Sequence, residues 1–167
     1  MKAFLKGIWP TALALVLFGC LCLGLNQFVF HTVRIEGTSM VDTLRSGDIV
    51  LVTRFDYRWS EAQRGDIVEC SFPGRSATYV KRIIGLPGER VEIIDSRVYV
   101  NGEALSEPYA TGPSEPYSAQ LGADEYLVLG DNRSESYDGR SADMGFIRRD
   151  NLLGRVRFVL WPFRKIN

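Results

Sequence analysis

The sequence predicts a mostly β protein: an antiparallel sandwich or barrel-like domain behind one N-terminal transmembrane helix. Three observations carry this. Trp9 to Phe30 runs 22 positions without a charged residue. After it, short stretches rich in Val, Ile, Tyr and Phe recur between Gly, Pro, Asp and Asn. No segment beyond Phe30 carries a long helical period.

The apolar stretch comes first. About 20 apolar residues cover the hydrocarbon core of a bilayer. Lys2 and Lys6 precede the stretch and no acidic residue does, so the positive-inside tendency puts the N-terminus in the cytoplasm and the rest outside. His31 and Arg34 weaken that contrast without reversing it. A cleaved signal peptide would have a shorter apolar core and a small-x-small exit, and no Ala-x-Ala follows. "LFGC" (17–20) loosely resembles a lipobox, but Phe18 is bulky and the chain stays apolar for ten more positions. Residues 1–30 are therefore expected to be a cytoplasmic N-terminus and an uncleaved signal anchor in the cell membrane. Residues 31–167 are expected to form one extracytoplasmic domain, long enough for its own core but not for a second domain.

The remaining elements follow in order. Strands are expected in "DIVLVTR" (48–54), "DIVECSF" (66–72), "ATYVKRIIG" (77–85), "RVEII" (90–94), "RVYVNG" (97–102), "EYLVLG" (125–130) and "RVRFVLW" (155–161). Asp95-Ser96 reads as a hairpin turn. Residues 103–122, with three prolines and many small polar residues, read as a surface loop. "FDYRW" (55–59) and "FVLWPF" (158–163) are aromatic clusters suited to core packing or to the headgroup level of a membrane.

Composition removes several function classes. Twenty basic residues balance twenty acidic ones, which argues against disorder and against a nucleic-acid-binding tail. Cys20 and Cys22 lie in the apolar stretch and Cys70 stands alone, so no disulfide framework is expected. Nor does any Cys/His spacing suggest a metal site. The one histidine, His31, sits at the end of the anchor, which makes a Ser-His-Asp triad improbable.

Lysine usage is the sharper clue. The chain has 16 arginines and 4 lysines, and Lys81 is the one lysine in the folded body. Arginine stays protonated at working pH, whereas a lysine can act as a base if its site lowers its pKa from about 10.4. Strand alternation puts Tyr79, Lys81 and Ile83 on one face and Val80, Arg82 and Ile84 on the other. A core-facing ammonium is poorly solvated, and Arg82 is expected to add repulsion of the same sign. In "GDNRSESYDGR" (130–140), Asp138 and Arg140 are close enough to pair, and Ser136 is a hydroxyl available to orient the Lys81 amine.

"GTSMVDTL", "YVKRIIGLPGE" and "GDNRSESYDGR", in this order behind an apolar stretch, resemble bacterial type I signal peptidases, and the compact Gram-positive form in particular. These are membrane-anchored serine proteases that use a Ser-Lys dyad. The resemblance implies Ser39 as nucleophile, Lys81 as general base and Ser136 as the serine bonded to that base. It implies support from Arg82, Asp131, Asp138 and Arg140, with Arg82 paired to Asp131. It implies that Ile35, Met40, Leu44, Tyr79 and Val80 receive the substrate, and the small Gly37 lets an extended substrate lie close to the backbone. No cofactor or metal is implied; the implied partners are signal-peptide-bearing preproteins and membrane lipid. Two departures stand out: Asp42 replaces the usual proline, and Gly139 replaces the usual serine between Asp138 and Arg140. They leave two alternatives open: a catalytically impaired β domain that binds signal sequences, and a maturation peptidase dedicated to conjugation or pilus proteins.

Overall fold

The computed structural model describes residues 2–166, and the side chains of 2–9, 22, 23 and 25–28 lie outside that description. Those of Lys2, Lys6, Trp9 and Cys22 are among them. Helix α1 spans Lys2–Val29. Among the described residues, no helix is long and apolar enough to cross a membrane. The described part of α1 leaves Leu15, Val16, Leu17, Phe18 and Leu21 exposed.

The rest is two antiparallel sheets. In chain order the elements are β1 (Phe30–Arg34), β2 (Ile49–Thr53), a one-turn helix α2 (Asp56–Trp59), β3 (Ile67–Ser71), β4 (Thr78–Gly85), β5 (Arg90–Ile94) and β6 (Arg97–Val100). They continue with β7 (Glu103–Ala104), β8 (Tyr117–Gln120), β9 (Glu125–Leu129), β10 (Ile147–Arg148) and β11 (Leu152–Trp161). Short 3-10 turns cover Arg133–Glu135 and Arg149–Asn151. The larger sheet runs β1-β2-β11-β3-β4-β9-β10 and the smaller β7-β6-β5-β8. The first and last strands of each order end it, so both sheets are open rather than closed into a barrel.

All seven expected strands form. The Asp95-Ser96 hairpin turn has positive φ at both residues (49° and 63°), the geometry that matches the twist of the two strands it joins. Residues 103–122 are only partly loop: β7 pairs with β6, and β8 pairs with β5 over Tyr117–Gln120. His31, expected at the end of the anchor, lies on β1, where it accepts a hydrogen bond from Arg54 Nε at Nδ1 (3.1 Å). Its Nε2 faces Glu69 Oε2 at 2.6 Å.

Three apolar clusters make the core, and β4 borders all of them. Tyr79 and Ile83 face a cluster with Cys70, Phe72 and Val128; Val80 faces one with Ile35, Met40 and Leu44. Ile84 faces the cluster between the two sheets, with Val91, Ile93, Leu127 and Leu129. Each such side chain contributes roughly 1.5–3 kcal/mol when buried. Residues 81–85 are all buried, so whatever Lys81 does, it does in a dry place.

Candidate active site

The segment from Ile35 to Asp48 leaves β1 and returns to β2 as a closed loop. The Ile35 N–H donates to the Asp48 carbonyl (2.8 Å), the Gly47 N–H to that of Ile35 (2.9 Å) and the Leu44 N–H to that of Met40 (2.7 Å). Ile35, Met40 and Leu44 point into one core cluster and fix the loop from below. Arg164 holds it from outside, pairing with buried Asp48 and donating to the Thr43 carbonyl (2.8 Å). Gly37, with φ of 89°, supplies a left-handed turn just before the half-buried Ser39.

A second segment docks on this loop. The Asn132 N–H donates to the Ser39 carbonyl (3.0 Å), and its side-chain amide to that of Thr38 (3.3 Å). Gly130 makes the approach possible. A Cβ there would lie 2.2 Å from Ser136 Oγ and 2.5 Å from the Ser39 carbonyl oxygen. The need for glycine here was not apparent from the sequence, where Gly130 sits among ordinary turn residues.

Lys81 is 3% exposed, and its amine donates to Ser136 Oγ at 3.1 Å. Burial holds its pKa below the ordinary lysine value. Asp138, the Cys70 thiol and Asp131 oppose that shift, and Arg140 reinforces it. The expected repulsion from Arg82 is therefore corrected. Arg82 points to the other face of β4 and is bound by Asp131, Nε to Oδ1 at 2.8 Å and Nη2 to Oδ2 at 2.7 Å. It also stacks 3.8 Å from the Tyr109 ring centre. Cys70 is fully buried, and burial pushes its thiol up to about 12.

Asp138 and Arg140 form a two-pronged pair, Nε to Oδ1 at 2.8 Å and Nη2 to Oδ2 at 2.9 Å. Burial opposes ionisation of Asp138, but the Arg140 bonds, Ser136 and the Gly130 N–H together hold its pKa below the usual aspartate value. Asp42 is exposed and is not among the main charges that act on Lys81. At Gly139 a Cβ would meet Leu127 Cδ1 at 2.7 Å, so this interior has no space for the family's serine without repacking.

Ser39 and Lys81 line one groove of about 260 Å³. Of the residues expected to receive substrate, Ile35, Gly37, Met40, Tyr79 and Val80 are in its walls. Leu44 is not: it is fully buried beneath the groove, packed in the loop's own core. Val33, Arg34, Glu36 and Thr78 also line it, which the sequence did not single out. Among the described residues, no cluster of three or more His, Cys, Asp or Glu side chains is arranged to hold a metal ion.

Similarity to known proteins covers most of the chain. Residues 8–161 match the family described as signal peptidase, peptidase S26. The chain is similar to a signal peptidase I of Leptolyngbya laminosa, 34% identical over 97% of this chain and 82% of that one. It is also similar to a probable signal peptidase I-2 of Synechocystis, 38% identical over 87% of this chain and 70% of that one. Among solved structures, a crystal structure of a signal peptidase I from Enterococcus faecalis superposes with a TM-score of 0.52 at 31% identity, covering 57% of this chain and 97% of the other. On sequence over most of its length, and on fold, this chain belongs to the signal peptidase, peptidase S26, family.

Proposed function

We propose that the protein is a serine endopeptidase that removes signal peptides from secreted preproteins at the outer face of the membrane by a Ser39–Lys81 dyad. The observation that carries this reading is a single groove shared by a half-buried serine and a lysine amine that is dry and hydrogen-bonded to Ser136.

In this mechanism the neutral Lys81 amine takes the proton of Ser39 as its oxygen attacks the scissile carbonyl. The Ser39 N–H donates to the oxyanion, and Gly37 offers no side-chain donor beside it. Lys81 then protonates the leaving nitrogen, and a water it activates releases the acyl group. Ser136 orients the amine. Asp138 and Arg140 hold Ser136's segment, and Arg82–Asp131 ties β4 to the turn after β9. The shallow groove admits small side chains before the cut, and an extended substrate lies along it by strand addition.

Helix α1 is proposed to anchor the chain, with the β domain outside the cell. The uncharged stretch at 9–30, the preceding lysines and the exposed Leu15, Val16, Leu17 and Phe18 support this. A helix of 28 residues is about 42 Å long, beyond the roughly 30 Å hydrocarbon core.

The test is cleavage of a preprotein by detergent-solubilised protein. Wild type is expected to cut after the signal sequence, and folded Ser39→Ala and Lys81→Ala variants are not. A wild type that binds the preprotein and never cuts it would overturn the proposal in favour of a binding domain.

A further inference from the structure

The Lys81–Ser136 hydrogen bond stands between two concavities. Lys81 is in the wall of the groove described above, and Ser136 is in the wall of a second cavity of about 410 Å³. Ser134, Glu115, Pro116 and Tyr117 also line this second cavity. We propose that it receives the residues that follow the scissile bond, the new N-terminus of the mature chain. This rests on the peptidase reading above.

The chemistry sets the direction. The leaving nitrogen takes its proton from Lys81, so it lies beside that amine. The chain attached to it continues over the adjoining surface, away from the groove that holds the residues before the cut. That adjoining surface begins at Ser136, the hydrogen-bond partner of the amine.

Size and charge agree. A cavity of about 410 Å³ lies within the range of small-ligand sites, and extended backbone advances about 3.3 Å per residue, so two or three residues occupy it. The two arginines in its wall are already neutralised: Arg133 by Glu107 (2.6 Å) and Arg140 by Asp138 (2.8 Å). Glu115 is exposed and has no ion-pair partner among the described residues. The wall is therefore net negative and does not repel the amine that the cut releases, which is partly protonated at neutral pH.

The experiment uses the full chain in detergent and amidated peptides with a fixed sequence before the cut and one, two or four residues after it. In wild type, kcat/KM is expected to rise about tenfold from one to four residues, mostly through kcat, as remote contacts do. Ser134→Trp places a bulky group in the cavity from an exposed turn and is expected to abolish that rise while leaving the one-residue peptide within about twofold. Glu115→Trp fills it from the other wall, should the first variant not fold. A wild type indifferent to length, or filled variants that lose all peptides equally, would overturn this inference alone. A wild type that cuts neither the peptides nor a preprotein overturns the peptidase reading and this inference with it.

Discussion

The Lys81 amine donates to the Ser136 hydroxyl across 3.1 Å from a strand position that solvent barely reaches. With a pKa lowered chiefly by burial, this amine is neutral at a lower pH than an ordinary lysine. Under conditions where chemistry limits the rate, cleavage is expected to rise with pH through that lowered value. Lys81→Arg is expected to cost as much as Lys81→Ala, about 10⁴-fold or more in kcat. A flat pH–rate profile would remove Lys81 from the role of base.

The charges around the amine give a pair of opposite shifts. Asp138 raises the Lys81 pKa and Arg140 lowers it. In Asp138→Asn the acidic limb of the pH–rate profile is expected to move to lower pH, and in Arg140→Gln to higher pH. Loss of folding alone would lower the rate in both without moving the limbs in opposite directions.

Burial of the amine has a cost in stability. Because the folded-state pKa lies below the ordinary lysine value, the unfolded chain binds more protons between the two values. This contribution to stability therefore rises with pH through that window and is most unfavourable below it. Lys81→Met is expected to raise Tm at neutral pH by a few degrees, on the order of 1–3 kcal/mol, while abolishing cleavage. A lower Tm, read by circular dichroism, would show that the amine is better accommodated than its surroundings suggest.

Asp138 shifts stability with pH in the same direction, but its ionised form stabilises the fold rather than costing it. Its pKa is depressed in the folded state, so its stabilisation is present above the unfolded value of 3.8 and lost as pH falls through the folded one. Removing one partner of the buried pair with Asp138→Ala is expected to cost about 3–5 kcal/mol at neutral pH. In urea melts, the gap to wild type should narrow towards acid.

Gly130→Ala places a methyl 2.2 Å from Ser136 Oγ and 2.5 Å from the Ser39 carbonyl. Overpacking of this kind costs about 1–3 kcal/mol. The larger expected effect is on kcat, because the clash falls on the two segments that carry Ser39 and Ser136. Unchanged kinetics would mean that these segments separate without consequence.

Much of the fold was readable because period-two apolar runs bounded by turn residues mark strands directly, as in 48–54 and 90–102. β8 was not, since Tyr117–Gln120 has prolines before it and only alternate side chains half-buried; its strand conformation comes from pairing with β5. The prominence of Lys81 was visible because it is the body's one lysine. Which cation acts on it was not. Arg82 is adjacent in sequence but faces away, whereas Arg140 is brought in by the turn after β9. The submerged position of Leu44 likewise depends on how the loop folds over its own core, which residue spacing does not specify.

Helix α1 ends at Val29 and β1 begins at Phe30 with no residue between, and the Arg54 N–H from the far end of β2 ties down the Val29 carbonyl at 3.1 Å. With no residue between them and this bond across the junction, the joint acts as a depth gauge. With α1 seated in lipid as proposed, Ser39 rides at a set altitude above it. Scissile bonds are then sorted by how far they protrude from the bilayer, in addition to what flanks them.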